Sequence, residues 1–249
     1  MKNEREEISR KWYNNLRLTG YGYRDINKAY EDAGAVGLIS SYWSRVPGSN
    51  KVFNARTEKI PNIDVNLEDY GALYRLVKME KKPVLKVVSL SEELGDVPTF
   101  NTIAQIKGVE KPNEYVILSA HFDSWDGGQG TTDNGTGTLV MLEAMRILKK
   151  IYPNPKRTIL VGHWGSEEQG LNGSRAFVED FPEIVKNTQA VFNQDNGTGR
   201  VVSLSGQGFL YSYEFLTNWL YSVPNNISKH IKTDFPGLPS SGGSDYASF

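Results

Sequence analysis

The chain has 249 residues, 39% hydrophobic and 23% charged, a balance that supports a buried core and argues against intrinsic disorder. A formal net charge of −1 leaves no basic surplus for nucleic-acid phosphates or an anionic membrane, and the absence of cysteine excludes thiol nucleophiles, disulfides and thiolate metal sites. No apolar run approaches the roughly 20 residues that span a bilayer, and MKNEREEISRKW lacks the apolar centre of a signal peptide.

In chain order, DINKAYEDAGAVGLISS has helical spacing and then a small-residue turn into the apolar run Ala35 to Ile39, so it reads as a helix feeding a strand. KIPNIDV reads as a short strand. NLEDYGALYRLVKMEKK predicts a helix with Asn66 as N-cap and Leu67, Tyr70, Leu73, Tyr74 and Val77 on one face. VLKVVSL alternates like a strand. From about Thr99 the pattern changes: TFNTIAQIKG, YVILSA, TILVGHW, AVFNQD and VVSLSG read as successive strands, with a helix from about Gly135 to Lys150 between two of them. Strands alternating with helices predict a layered α/β sheet.

The histidine and acidic residues fall just beyond strand ends, where open α/β sheets bind ligands. His121 and Asp123 follow YVILS, Glu167 and Glu168 follow TILVGHW, and Asp195 follows AVFN; Asp133 lies in the glycine-rich loop before the long helix. A neutral imidazole with several carboxylates suits a zinc-class ion, and one carboxylate can bridge two ions about 3.5 to 4 Å apart. Asp133 is the candidate bridge. His121 and Asp123 point to the same side in extended chain, so Asp123 is expected to accept a hydrogen bond from the ring nitrogen that is not on the metal. Adjacent Glu167 and Glu168 diverge, so one is expected to bind metal and the other to handle a proton. Taken one at a time these residues also fit plainer roles, a helix start for Glu-Glu and a turn for Asp195. His163, inside an apolar run, reads as a packed strand residue and His230 as solvent-facing. Neither Gly-x-Ser-x-Gly nor His-Glu-x-x-His occurs, which disfavours serine-hydrolase and zincin chemistry.

HFDSWDGGQGTTDNGTGTLVMLEAMRIL, KRTILVGHWGSEEQGLNGSRAF, VFNQDNGTG and GGSDYASF, in that order, resemble the M28 family of zinc peptidases over about Thr99 to Phe249. The resemblance implies an α/β, three-layer zinc-exopeptidase fold with a central mixed sheet. Residues 98–249 would be the peptidase domain, truncated at its C-terminus. Residues 1–97, through AGAVGLISS to IPNIDV, resemble part of a protease-associated α+β insert.

By motif, the resemblance implies His121, Asp133, Glu168 and Asp195 as zinc ligands and Glu167 as general base. Asp133 would bridge, His121 and Asp195 would complete one ion, and Glu168 would hold the other. In the family the second ion takes a further histidine beyond the Ser-Asp-x-x-x-Phe motif, so the chain is expected to be an internal piece with that ligand missing and little activity alone. Tyr246 stands where many relatives carry histidine. The bond between Asp133 and Asn134 is expected in cis.

The activity implied is that of a zinc-dependent exopeptidase, of aminopeptidase or carboxypeptidase type, acting on short peptides or dipeptides. Two zinc ions per intact site, a periplasmic or extracellular parent, homodimerisation, no nucleic-acid partner and no membrane span complete the expectation. A single-zinc enzyme like the glutaminyl cyclases and a non-catalytic M28-like binding protein are the alternatives.

Overall fold

The chain divides into two units, Met1–Gly95 and Asp96–Phe249. The computed structural model describes residues 18–22, 25–41, 56–90, 92, 94–125, 127–240 and 242–249. The segment MKNEREEISRKW lies outside the described residues.

In the first unit, α1 (Ile26–Asp32) leads into β1 (Leu38–Ser40), which pairs in parallel with β2 (Asn62–Asp64). Glu31 is buried, and its carboxylate accepts the amide hydrogens of Glu58 and Lys59 at 2.8 and 2.9 Å. The helix is thereby tied to the loop that precedes β2. Then α2 (Leu67–Lys78) starts where the sequence predicts, with the Asn66 side chain accepting the Asp69 amide at 2.9 Å. Glu68 and Asp69 in its first turn and Arg75 and Lys78 in its last complement the helix dipole. Its predicted apolar face is not buried: Tyr74 and Val77 are exposed. Local capping, rather than packing, accounts for this helix. VLKVVSL forms no strand. Residues 84–90 pair with no ladder among the described residues, and Val84, Val88 and Leu90 are exposed. Alternation makes a segment fit for a strand, but only a partner edge makes it one.

The second unit is built on a four-stranded mixed sheet in the order β3-β5-β4-β6. It comprises β3 (Thr102–Ile106), β4 (Lys111–His121), β5 (Arg157–Trp164) and β6 (Thr188–Asn193). The last three run parallel, with Leu118 opposite both Val161 and Phe192, and β3 runs antiparallel to β5. From Thr158 to Trp164 every residue of β5 is buried, as expected for a strand covered on both faces.

Alternation divides the core between those faces. On one, Leu118, Ala120, Ile159 and Val161 meet Met141, Ala144, Met145 and Leu148 of α3 (Gly135–Ile151). On the other, Ile117, Leu160 and Trp164 meet Phe177 of α4 (Asn172–Asp180), with Ile184 and Val185 of α5 (Pro182–Lys186) and Phe249 packed against them. Helix, sheet and helix form three layers. Beyond β6, the strand predicted in VVSLSG is confined to β7 (Ser203–Ser205). It pairs with β8 (Lys232–Asp234), reached through α6 (Ser212–Ser222) and α7 (Asn225–Ser228). The described chain closes with a 3-10 turn, Asp245–Ser248.

Candidate metal centre

His121 ends β4 and is wholly buried. Its Nδ1 faces the backbone carbonyl of Asp123 at 3.0 Å. A carbonyl oxygen can only accept, so Nδ1 carries the hydrogen, and in the neutral ring Nε2 holds the lone pair a metal would use. The sequence expectation had the Asp123 carboxylate in that place, but its Oδ1 is farther off, at 3.5 Å. That carboxylate is engaged elsewhere: Oδ1 accepts the amide of Glu167 at 3.0 Å and Oδ2 the amide of Glu168 at 3.2 Å. One aspartate thus orients the imidazole through its backbone and both glutamates through its side chain.

The loop after β5 is held from below as well. Asn101 accepts the Gly165 amide at 3.1 Å and donates to the Gly173 carbonyl at 2.8 Å. A Cβ at Gly165 would lie 2.5 Å from the carbonyl oxygen of Phe100, which explains the glycine where β5 turns toward the glutamates.

Asp133 precedes α3, and the peptide bond from Asp133 to Asn134 is cis. Asn134, also buried, donates to the Gln194 carbonyl at 2.8 Å and accepts the Gly137 amide at 3.0 Å as N-cap. The Thr138 hydroxyl donates to the His121 carbonyl at 3.1 Å. The start of α3 is therefore fastened to the end of β4 and to the residue before Asp195.

These ties bring the predicted side chains into one cluster. Nε2 of His121 lies 3.2 Å from Oδ1 of Asp133 and 3.2 Å from Oδ1 of Asp195, with Oε2 of Glu167 at 3.9 Å. Ligand atoms of His121, Glu167 and Asp195 lie within 4.8 Å of one another, and so do those of His121, Asp133 and Glu168. Two donors on one tetrahedral zinc with bonds of about 2.0 to 2.1 Å stand about 3.3 Å apart, so the spacing around His121 fits such an ion, as does a nitrogen and oxygen donor set. His163 and His230 stay apart: the first is buried in β5 with its ring 6.0 Å from that of Phe122, and the second is exposed.

The electrostatics are those of a site made for positive charge. Burial disfavours a protonated His121, but hydrogen bonding with Asp123 and Asp195 and the charges of Asp195 and Glu167 outweigh it, raising its pKa to about 11. Burial pushes the Glu167 carboxyl up to about 7; His121 opposes this, while Asp195, Asp245 and Glu168 add to it. Burial also raises Asp123, but His121 and the two glutamate amides prevail and hold its carboxyl below the usual range. Asp245 is the neighbouring charge that sequence reasoning missed. It stands in GGSDYASF, a motif that carries the resemblance, yet no spacing rule relates a turn residue so far along the chain to a site built on β4 and β5.

A mixed α/β sheet with imidazole and carboxylates gathered at the C-terminal ends of its parallel strands defines a protein with a candidate divalent-cation centre. The model of Peptidase family M28 matches residues 101–249, and the chain belongs to that family. Carboxypeptidase Q of Xenopus laevis is 35% identical over 140 residues, covering 56% of this chain and 30% of that protein. The chain thus spans well under two thirds of that curated relative. Among solved structures, a Peptidase M28 precursor from Shewanella amazonensis superposes with a TM-score of 0.72 at 23% identity, covering 86% of this chain and 48% of that one. BSAP, a zinc aminopeptidase from Bacillus subtilis, gives 0.61 at 22% identity, covering 92% and 54%. At these identities the two structures bear on the fold, and they bear out its class.

Proposed function

We propose that the protein is a zinc-dependent exopeptidase acting on short peptides, with His121, Asp133, Glu168 and Asp195 as metal ligands and Glu167 as general base. The observation that carries this reading is the convergence of Asp133 and Asp195 on His121 Nε2 at 3.2 Å each, with Glu167 beside them. Membership of Peptidase family M28 and likeness to a carboxypeptidase and a zinc aminopeptidase support the reaction class. His121 is common to both groups of converging ligand atoms, which makes its free nitrogen the centre of the cluster; the second ion of the proposed pair would rest on the carboxylates of Asp133 and Glu168.

Zinc bound there would polarise a scissile carbonyl and acidify a water. The chain's own part is to place and move the proton. Glu167, with its carboxylate 3.9 Å from His121 Nε2, is placed to take a proton from the attacking water and to hand it to the leaving amine. Asp123 keeps that carboxylate in place by accepting the Glu167 amide. His121, fixed by its Nδ1 contact, presents one nitrogen and no alternative tautomer.

In the full-length protein, Glu167→Gln is expected to retain zinc and to lose about 10²- to 10⁴-fold in peptide turnover, because the amide fills the space but takes no proton. Metal analysis alongside a dipeptidase assay checks both halves. Turnover close to wild type would remove Glu167 from the mechanism.

A further inference from the structure

Asp245 lies outside the groups of converging ligand atoms, and its surroundings are unusual for a carboxylate. It opens the 3-10 turn, is wholly buried, and neither of its side-chain oxygens meets a hydrogen-bond partner among the described residues. The turn that carries it is firmly anchored. Ser119 of β4 donates to Asn193 of β6 at 2.7 Å, Asn193 donates to the Ser244 hydroxyl at 2.8 Å, and the hydroxyls of Ser174 and Ser248 lie 2.8 Å apart. Phe249 packs on Trp164 and Phe177 with ring separations of 5.9 and 6.2 Å. Polar ties on one flank and aromatic packing on the other thus fix the residue while its own oxygens stay unused.

A buried carboxylate without partners destabilises the fold that contains it unless a counter-charge is near. Burial accordingly pushes the Asp245 carboxyl up to about 6; the Ser174 hydroxyl, which is near but makes its own hydrogen bonds with Leu171 and Ser248, and His121 oppose the rise, and Asp195 and Asp123 add to it. The turn stands beside the cluster: Ser244 is tied to Asn193, two residues before Asp195, and through it to Ser119, two residues before His121, and the mutual influence of Asp245 and Glu167 agrees with that placement. Yet it belongs to neither group of converging ligand atoms.

We infer that Asp245 is an outer carboxylate of the cation centre, tightening the hold on a divalent ion by its buried charge without touching it. This rests on the reading of the cluster as a cation site. A divalent ion among His121, Asp133, Glu168 and Asp195 supplies the counter-charge that Asp245 lacks, and exclusion of water lets the attraction act across the intervening side chains. The consequence has two signs. Removing the charge weakens ion binding and at the same time relieves the ion-free fold. A carboxylate kept for structural hydrogen bonds would do the opposite to the ion-free fold.

The test uses the full chain, stripped of metal with a chelator, as wild type, Asp245→Asn and the apolar near-isostere Asp245→Leu. Zinc affinity is measured by competition with a chromogenic chelator, and melting temperature is measured without metal at pH 8. Both variants are expected to bind zinc about 10- to 100-fold more weakly than wild type and to melt higher than wild type without metal. Unchanged zinc affinity overturns the inference while leaving the cation site intact. Variants that melt lower without metal, or do not fold, assign Asp245 to the fold and also overturn it. A wild-type chain that binds no zinc sinks both the inference and the reading beneath it.

Discussion

Asp123 shows how much one side chain can organise. Its carbonyl fixes the His121 tautomer and its carboxylate receives the amides of Glu167 and Glu168. Asp123→Ala keeps the carbonyl contact to the imidazole but loses both amide contacts and the carboxylate 3.5 Å from Nδ1, so the glutamates lose their common anchor while the ring keeps its backbone tie. Partners of this kind typically account for 10- to 100-fold in metal affinity, and a loss of about that size is expected in a zinc competition titration. Zinc affinity equal to wild type would show that the loop holds its glutamates without Asp123. In the first unit, Glu31 plays a comparable part for stability. The amide of Lys59, then that of Glu58, and Lys28 lower its carboxyl from 4.5 to about 2 against the opposing effect of burial. A depressed carboxyl stabilises the folded state above its unfolded pKa, and that contribution fades as pH falls from about 4.5 toward 2. Wild type is expected to resist urea better than Glu31→Gln at pH 6, and the two are expected to converge near pH 2. A constant gap across that window would mean that Glu31 acts through packing alone.

The start of α3 is the element on which the site turns, because it joins Asp133 to two strand ends. Gly137 sits where a Cβ would collide with the Asn134 side chain and the Gln194 carbonyl, the two groups of the hydrogen bond that fastens this helix beside Asp195. Alanine in a helix gains about 1 kcal/mol at most over glycine, whereas overpacking costs about 1 to 3 kcal/mol. Gly137→Ala is therefore expected to lower thermal stability, and a scanning melt that shows a gain would contradict the tie. The strands around α3 were legible from sequence because burial on both faces leaves unbroken apolar runs such as TILVGHW, and their ends marked where the ligands would stand. The helix itself was legible within a residue, Gly135–Ile151 against an expected end at Lys150. What failed is equally instructive. VLKVVSL had the alternation without a paired edge among the described residues, and α2 had the apolar face without burial. The Asp123 side-chain contacts and the place of Asp245 were illegible because each depends on how distant loops meet, which periodicity does not encode.

At the scale of the molecule, the candidate centre draws on residues from 121 to 195, so it exists only once β4, β5 and β6 are in register and the start of α3 is docked against them. Fold and cation are then linked: an ion that binds only the assembled cluster stabilises the second unit by mass action. No helix among the described residues is long and apolar enough to cross a membrane. The central claim is that His121, Asp133, Glu168 and Asp195 hold zinc beside Glu167. The most direct measurement is an anomalous-difference map at the zinc absorption edge from crystals of the zinc-loaded protein. A peak is expected within about 2.0 to 2.2 Å of His121 Nε2 and of carboxylate oxygens from Asp133 and Asp195. A peak at His163 or His230 with none at His121, or no peak in a protein shown to hold zinc in solution, would contradict it.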